Sequence, residues 1–140
     1  MYLTFAEYTA YGGTITSETT FNDLEYEASS VIDWYTFGRL RNDTEFSEDV
    51  KRCDFKLISL IQEKLTAEIA NPAKASEEGV PAGVASYSND GVSASYNIMS
   101  AKDIIENSKA EMASVVNRYL AYTVNSLGQK VLFRGLYKNE

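Results

Sequence analysis

Apolar residues return every three or four positions over three long stretches of this chain, and each stretch is bracketed by residues that start or stop a helix. The first stripe is Phe21, Leu24, Ala28, Val31, Ile32 and Tyr35; it starts from Thr19 or Thr20 and ends near Phe37, with Gly38 close to its C-terminal cap. The second is Val50, Cys53, Leu57, Ile58, Ile61, Leu65 and Ile69, opened by Ser47 with Glu48 and Asp49 and closed at Asn71-Pro72. At about 23 residues, or ~35 Å, it is the expected spine of the fold. The third is Ile104, Ile105, Met112, Val115, Val116, Tyr119 and Leu120, opened by a capping box at Ser100 and Asp103 and fading near Val124.

The intervals read differently. Thr4 and Glu7 have the spacing of a capping box, and Gly12-Gly13 supplies a stop, so a short helix over residues 5–11 precedes the three long ones. Residues 39–46 read as a polar linker. Residues 72–83 hold both prolines, Pro72 and Pro81, and read as a mobile surface connection. Two β-prone runs, 84–87 and 92–96, flank Ser88-Asn89-Asp90-Gly91, whose residues suit the turn of a β-hairpin. After residue 127 the chain is apolar and basic without helical period, and residues 128–140 read as an extended C-terminal arm.

The expected fold class is therefore mainly α: a small bundle of three main helices plus a short N-terminal helix, with a β-hairpin between the last two long helices and that extended arm. The 140 residues fit a single domain, with a helical body over 1–127, the hairpin at about 84–96 and the arm over 128–140. Removing residues 128–140 is expected to leave helix content and melting largely intact while blocking assembly.

Charge narrows the possible partners. The net charge is -7, which disfavours direct binding of phosphate backbones. Residues 1–38 carry six acids and no Lys or Arg, whereas residues 112–140 carry Arg118, Lys130, Arg134 and Lys138 against Glu140 alone. The two ends differ in sign, as steering one copy's tail onto another copy's head would require. No apolar run approaches the roughly 18 residues of a membrane span, and the opening residues lack the pattern of a signal peptide, so the chain is expected to be made and kept inside a cell.

Catalytic chemistry finds little to work with. The chain has no histidine, which removes the usual general base, nucleophile activator and metal ligand together. Gly12-Gly13 is no phosphate loop, and Asn42-Asp43-Thr44-Glu45 and Asn89-Asp90-Gly91 lack the ligand pattern of a calcium loop. Glu48 with Asp49, or Asp103 with Glu106, are the nearest carboxylate pairs for glycoside hydrolysis, but each sits in the first turn of an expected helix, where the dipole favours acids regardless of function. Lone Cys53, on an apolar stripe, reads as a buried structural thiol. The expectation is no enzyme, no cofactor and no metal.

Tyrosine, at ten residues, points instead to protein contacts, because it offers large area, little entropy loss and a polar tip. Tyr35 and Tyr119 lie on apolar stripes and are expected in the core. The expected interface comprises Tyr87, Asn89, Asp90, Val92 and Tyr96 on the hairpin, and Lys130, Val131, Leu132, Phe133, Arg134, Leu136 and Tyr137 on the arm.

Taken in order, several segments resemble the head-tail connector, or adaptor, proteins of long-tailed bacteriophages and prophages. The opening Leu3-Thr4-Phe5-Ala6-Glu7-Tyr8 with Gly12-Gly13 looks like the family's start, and Val31-Ile32-Asp33 with Thr36 and Gly38-Arg39-Leu40 like the end of its first long helix. Val50-Lys51-Arg52-Cys53 with Leu57-Ile58 is similar to its second helix, the segment around Asn89-Asp90-Gly91 to its hairpin, and Arg134-Gly135-Leu136 to its closing motif. The resemblance implies a homo-oligomeric ring, a dodecamer, docked beneath the portal protein of a filled capsid in the virion, assembled in the host bacterial cytoplasm and presenting a platform to tail-side completion or tail proteins. DNA passes through such a ring without being gripped, and an acidic surface suits that passage. Two other readings predict different behaviour. A non-enzymatic cytosolic helical adaptor or regulator would bind one protein partner and never form rings, and a carboxylate-dependent hydrolase would lose activity on Glu48→Gln or Asp103→Asn.

Overall fold

A computed structural model describes residues 1–70, 86–87, 94–95, 101–138 and 140. Among these residues it is mainly helical, with five helices: α1 (Phe5–Ala10), α2 (Glu18–Thr36), α3 (Glu48–Ala70), α4 (Ala101–Asn107) and α5 (Lys109–Leu120). No helix of the described residues is long and apolar enough to cross a membrane.

α3 is the spine. It packs against α2 on one side and against α4 and α5 on the other. Val50, Cys53, Leu57, Ile58 and Ile61 of α3 are buried against Phe21, Ala28 and Ile32 of α2 and Met112, Val116 and Leu120 of α5. The expected stripes are thus the faces that meet, and burying such side chains supplies on the order of 1.5–3 kcal/mol each before conformational entropy is subtracted. Cys53 lies among them, and burial pushes its thiol well above the ordinary range, so it stays a neutral hydrophobe.

The N-terminal segment closes one end of the bundle. The capping box at Thr4 and Glu7 is formed, with Glu7 N–H donating to Thr4 Oγ1 at 3.3 Å and Thr4 N–H donating to Glu7 Oε2 at 3.0 Å. Lys51 of α3 also reaches the Glu7 carboxylate, tying α1 to the spine. Tyr8 is buried against Phe21 and Phe55, and its hydroxyl accepts from Thr14 N–H at 3.1 Å and Ile15 N–H at 3.3 Å. Gly13 makes that turn possible, because a Cβ there would stand 2.1 Å from the Tyr8 ring.

Five expectations need correction. The start of α2 is set by Ser17, whose hydroxyl accepts from Thr20 N–H, two or three residues ahead of the expected Thr19 or Thr20. The polar linker of residues 39–46 is partly core: Leu40 and Arg39 are buried, and Phe46 packs edge-on against Tyr2 at 4.7 Å. The single third helix is two. At Ser108 the backbone leaves helical geometry (φ -121°, ψ 27°), and the adjacent Asn107 and Ser108 are both residues whose side chains compete with the helical ladder for backbone partners. α5 then ends at Leu120, short of Val124.

The fourth correction is the largest: residues 128–140 are not an extended arm. Val131 is fully buried in the main core, Leu132 packs against it, and Val131 N–H donates to Thr123 O at 3.1 Å. A tight turn at residues 125–129, with Gly128 at φ +74°, folds the chain back so that Val124 and Lys130 pair in an antiparallel bridge. Asn125 fastens this turn, its Oδ1 accepting from Leu127 N–H at 3.1 Å and Gln129 N–H at 2.9 Å.

The hairpin expected at about 84–96 is not borne out as a folding unit. What is described is β1 (Ser86–Tyr87) antiparallel to β2 (Ala94–Ser95), two residues a side, too short to stand alone. The remainder of that segment and the expected surface connection of 72–83 lie outside the described residues.

Candidate protein interface

Arg39 organises the C-terminal segment. It follows the left-handed residues Phe37 (φ 55°) and Gly38 (φ +69°) that end α2, so the chain turns sharply and carries its guanidinium under the tail. Nη1 donates to Val131 O at 3.2 Å and to Phe133 O; Nη2 donates to Gly135 O at 2.7 Å and Glu140 Oε2 at 3.0 Å; Nε donates to Glu140 Oε1 at 2.6 Å. All five N–H groups are satisfied, three by carbonyls spaced two residues apart and two by one carboxylate in a bidentate fork. The Phe37, Phe133 and Tyr137 rings surround the cation at 5.0–6.0 Å. Hydrogen bonds from Arg39, and then from Tyr137 N–H, hold the Glu140 carboxyl down to about 2.

Segments 38–40 and 134–136, far apart in sequence and each singled out by the resemblance, therefore meet at one place. A further tie comes from Asn125, whose Nδ2 donates to Arg39 O at 3.2 Å. Ser126 adds another, its N–H donating to Asp43 Oδ2 at 3.0 Å. The tail is a rigid cap.

Large apolar side chains are left uncovered around this cap. Trp34 is 79% exposed, Phe37 61% and Leu127 78%, and Leu136 on the tail is 85% exposed. These positions are linked: Trp34, Phe37 and Arg134 line one hollow of about 580 Å3, and Phe37, Arg39 and Leu127 line the next. On the other side of Trp34 lies a groove of about 590 Å3 between α2 and the α4–α5 pair, floored by Val31, Ile105 and Met112. Isolated exposed apolar residues are ordinary, but a run of large ones along connected hollows marks a surface that excludes water when it meets another polypeptide.

Sequence reasoning placed the interface on the hairpin and arm, and the outcome is divided. Asn89, Asp90, Val92 and Tyr96 lie outside the described residues, and Tyr87 is placed only as a backbone position in β1. On the tail, Phe133, Arg134 and Leu136 are exposed, whereas Val131 is buried in the main core. Lys130 is exposed, with its N–H donating to the Tyr137 hydroxyl at 2.7 Å, so Tyr137 serves first to pin the tail. Trp34, Phe37 and Leu127 were not anticipated; an aromatic such as Trp34 that falls off the Val31-Ile32-Tyr35 stripe was the available signal.

Among the described residues, the carboxylates singled out by spacing are engaged locally or lie apart. Glu48 is engaged locally, paired with Arg52 at 2.8 Å and accepting from the Tyr11 hydroxyl at 2.8 Å. No group of three or more His, Cys, Asp or Glu among the described residues can hold a metal ion. One pair is unusual: Asp54 of α3 and Glu25 of α2 are both buried, out of reach of a substrate, and Glu25 also accepts from Tyr2 N–H at 2.8 Å. As a carboxylate, Asp54 would leave both oxygens without a donor. Burial first, and then the negative Glu25 beside it, push Asp54 well above the usual carboxylate range, which favours its protonated form.

Compared with protein-family models, with curated proteins and with solved structures, the chain matches none.

Proposed function

We propose that this chain is a non-enzymatic structural subunit of a phage head-tail connector. Copies form a ring, a dodecamer, beneath the portal of the DNA-filled capsid; the ring joins the capsid to tail-side proteins and lets DNA pass without gripping it. Its place is the virion, at the head-tail interface, after assembly in the bacterial cytoplasm.

The observation that carries this reading is the Arg39 cap. It joins the two segments that resemble the connector family and leaves Trp34, Phe37, Leu127 and Leu136 bare on a surface of fixed shape, as an obligate assembly subunit requires. The net charge of -7 agrees with passage of DNA, since a basic lining would hold the genome through its phosphates. The buried Asp54–Glu25 pair acts in folding rather than in turnover.

Size-exclusion chromatography with light scattering, on the protein alone and mixed with a phage portal protein, tests the reading, with negative-stain microscopy to count subunits. Rings, or a stable complex with portal, are expected. A chain that stays strictly monomeric and ignores portal would overturn it in favour of a single-partner adaptor.

A further inference from the structure

Leu136 is presented as a fixed knob. The residue before it, Gly135, has its carbonyl bound by Arg39 at 2.7 Å, and the residue after it, Tyr137, is tied through its N–H to Glu140 at 3.0 Å and through its hydroxyl to Lys130. The backbone on both sides is held, yet the Leu136 side chain touches almost nothing of its own molecule. Arg134 and Lys138, both exposed, flank it two residues to either side.

The groove beside Trp34 has the complementary character. Its floor is apolar, from Val31, Ile105 and Met112, and among the described residues its rim carries Glu27 and Glu106 against Lys109. Its α2 wall belongs to residues 1–38, which hold six acids and no Lys or Arg. Leu136 is not among the residues that line it, and the Arg39 anchor holds the tail elsewhere, so the subunit's own knob leaves the groove open.

We propose that the Leu136 knob of one copy seats in the Trp34 groove of the next, with Arg134 and Lys138 facing Glu27 and Glu106. This rests on the ring reading above and specifies its contact. The two surfaces are different patches, although Arg134 adjoins Trp34 in the neighbouring hollow, so the contact is heterologous, and repetition of a heterologous contact closes a ring when the rotation permits. Apolar seating provides the adhesion, and the opposed charges choose the orientation. Because the knob is already ordered, docking costs little conformational entropy.

The test mixes two full-length variants, Trp34→Cys and Leu136→Cys, under mild oxidation. A disulfide-linked heterodimer is expected in the mixture and no dimer in either variant alone, buried Cys53 being out of reach. Independently, the sole tryptophan reports seating: emission of the unmodified chain should shift to the blue on assembly, and Leu136→Asp should abolish both the shift and the ring while leaving circular dichroism unchanged. Rings that form without the mixed crosslink, rings that survive Leu136→Asp, or crosslinking as strong in a single variant would overturn this contact and leave the ring reading standing. Failure of the unmodified chain to oligomerise, alone or with portal, would sink the ring reading and this contact together.

Discussion

Replacing Asp54 by Asn should make the protein more stable above neutral pH. Asp54 is fully buried in α3, neither of its oxygens meets a donor, and Glu25 faces it from α2 with a negative charge. Its folded-state pKa is therefore raised, by burial before anything else, while in the unfolded chain it returns to about 3.9. A carboxyl of this kind contributes full stability below its unfolded pKa and loses it progressively as pH climbs toward the folded one, because the folded state then holds a proton that the unfolded state has released. One retained proton corresponds to a loss of up to about 1.4 kcal/mol per pH unit between the unfolded and the folded value, to be read between pH ~5.5 and ~7. That interval is clean here. The chain has no histidine to titrate within it. Asn has nearly the same shape, needs no proton and donates to Glu25 through its amide, so the variant's stability should be flat across the interval. At pH ~7 it should exceed the parent by about 1–3 kcal/mol, a rise of several degrees in melting temperature. Urea unfolding followed by circular dichroism at several pH values measures both slopes. A parent whose stability increases from pH ~5.5 to ~7, or an Asn variant as pH-dependent as the parent, would refute the retained proton.

Gly13→Ala should destabilise by about 1–3 kcal/mol in the same assay, since its Cβ would lie 2.1 Å from the ring of buried Tyr8, which the Thr14 and Ile15 amides hold in place. Arg39→Ala should cost about 2–4 kcal/mol by leaving the carbonyls of Val131, Phe133 and Gly135 without their donor, and hydrogen exchange should localise the loss to residues 123–137; unchanged protection there would contradict the tail anchor. Deleting residues 128–140 should lower the melting temperature as well as block assembly, because Val131 belongs to the main core. Glu7, held to about 2 chiefly by its hydrogen bond from Lys51 and then by Thr4 N–H, supports folding above its ordinary pKa and loses that support as pH falls from about 4.5 toward 2; its carboxyl resonance should titrate near the lower value, and a midpoint above 4 would argue against the cap.

The helical body was legible in the sequence because burial is periodic. Every member of the Phe21 and Val50 stripes as far as Ile61, save half-buried Tyr35, is buried, and the capping box at Thr4 is where the spacing put it. The two buried acids were legible as well, had the stripe been read for polar intruders. Glu25 stands four residues after Phe21 and three before Ala28, and Asp54 stands four after Val50 and three before Leu57, so each falls on a face that helix geometry turns inward. The tail was not legible. Its order comes from a charge nearly a hundred residues away, and a basic, apolar stretch without period reads as unattached unless the arginine that gathers its carbonyls is known. Ser108 was missed for a related reason: a stripe that continues in register on both sides hides one residue of non-helical backbone between them.

A pre-ordered tail changes what sets the geometry of assembly. An arm that orders only on docking spends part of its interaction energy on its own entropy and can reach neighbours at a range of angles, so the partner fixes the symmetry. A tail held by five hydrogen bonds to Arg39 has one direction relative to α2. Under the proposed knob-in-groove contact, the rotation from one copy to the next is then fixed inside each subunit by the angle between the Leu136 knob and the Trp34 groove, and a small change in that angle accumulates around the ring. Arg39→Lys keeps the charge but cannot span three carbonyls and a carboxylate at once, so it loosens that angle without removing either contact surface. Such a variant should still associate, with its copies closing into rings of mixed size or into open chains, and mass photometry of the assembled material distinguishes that spread from a single ring.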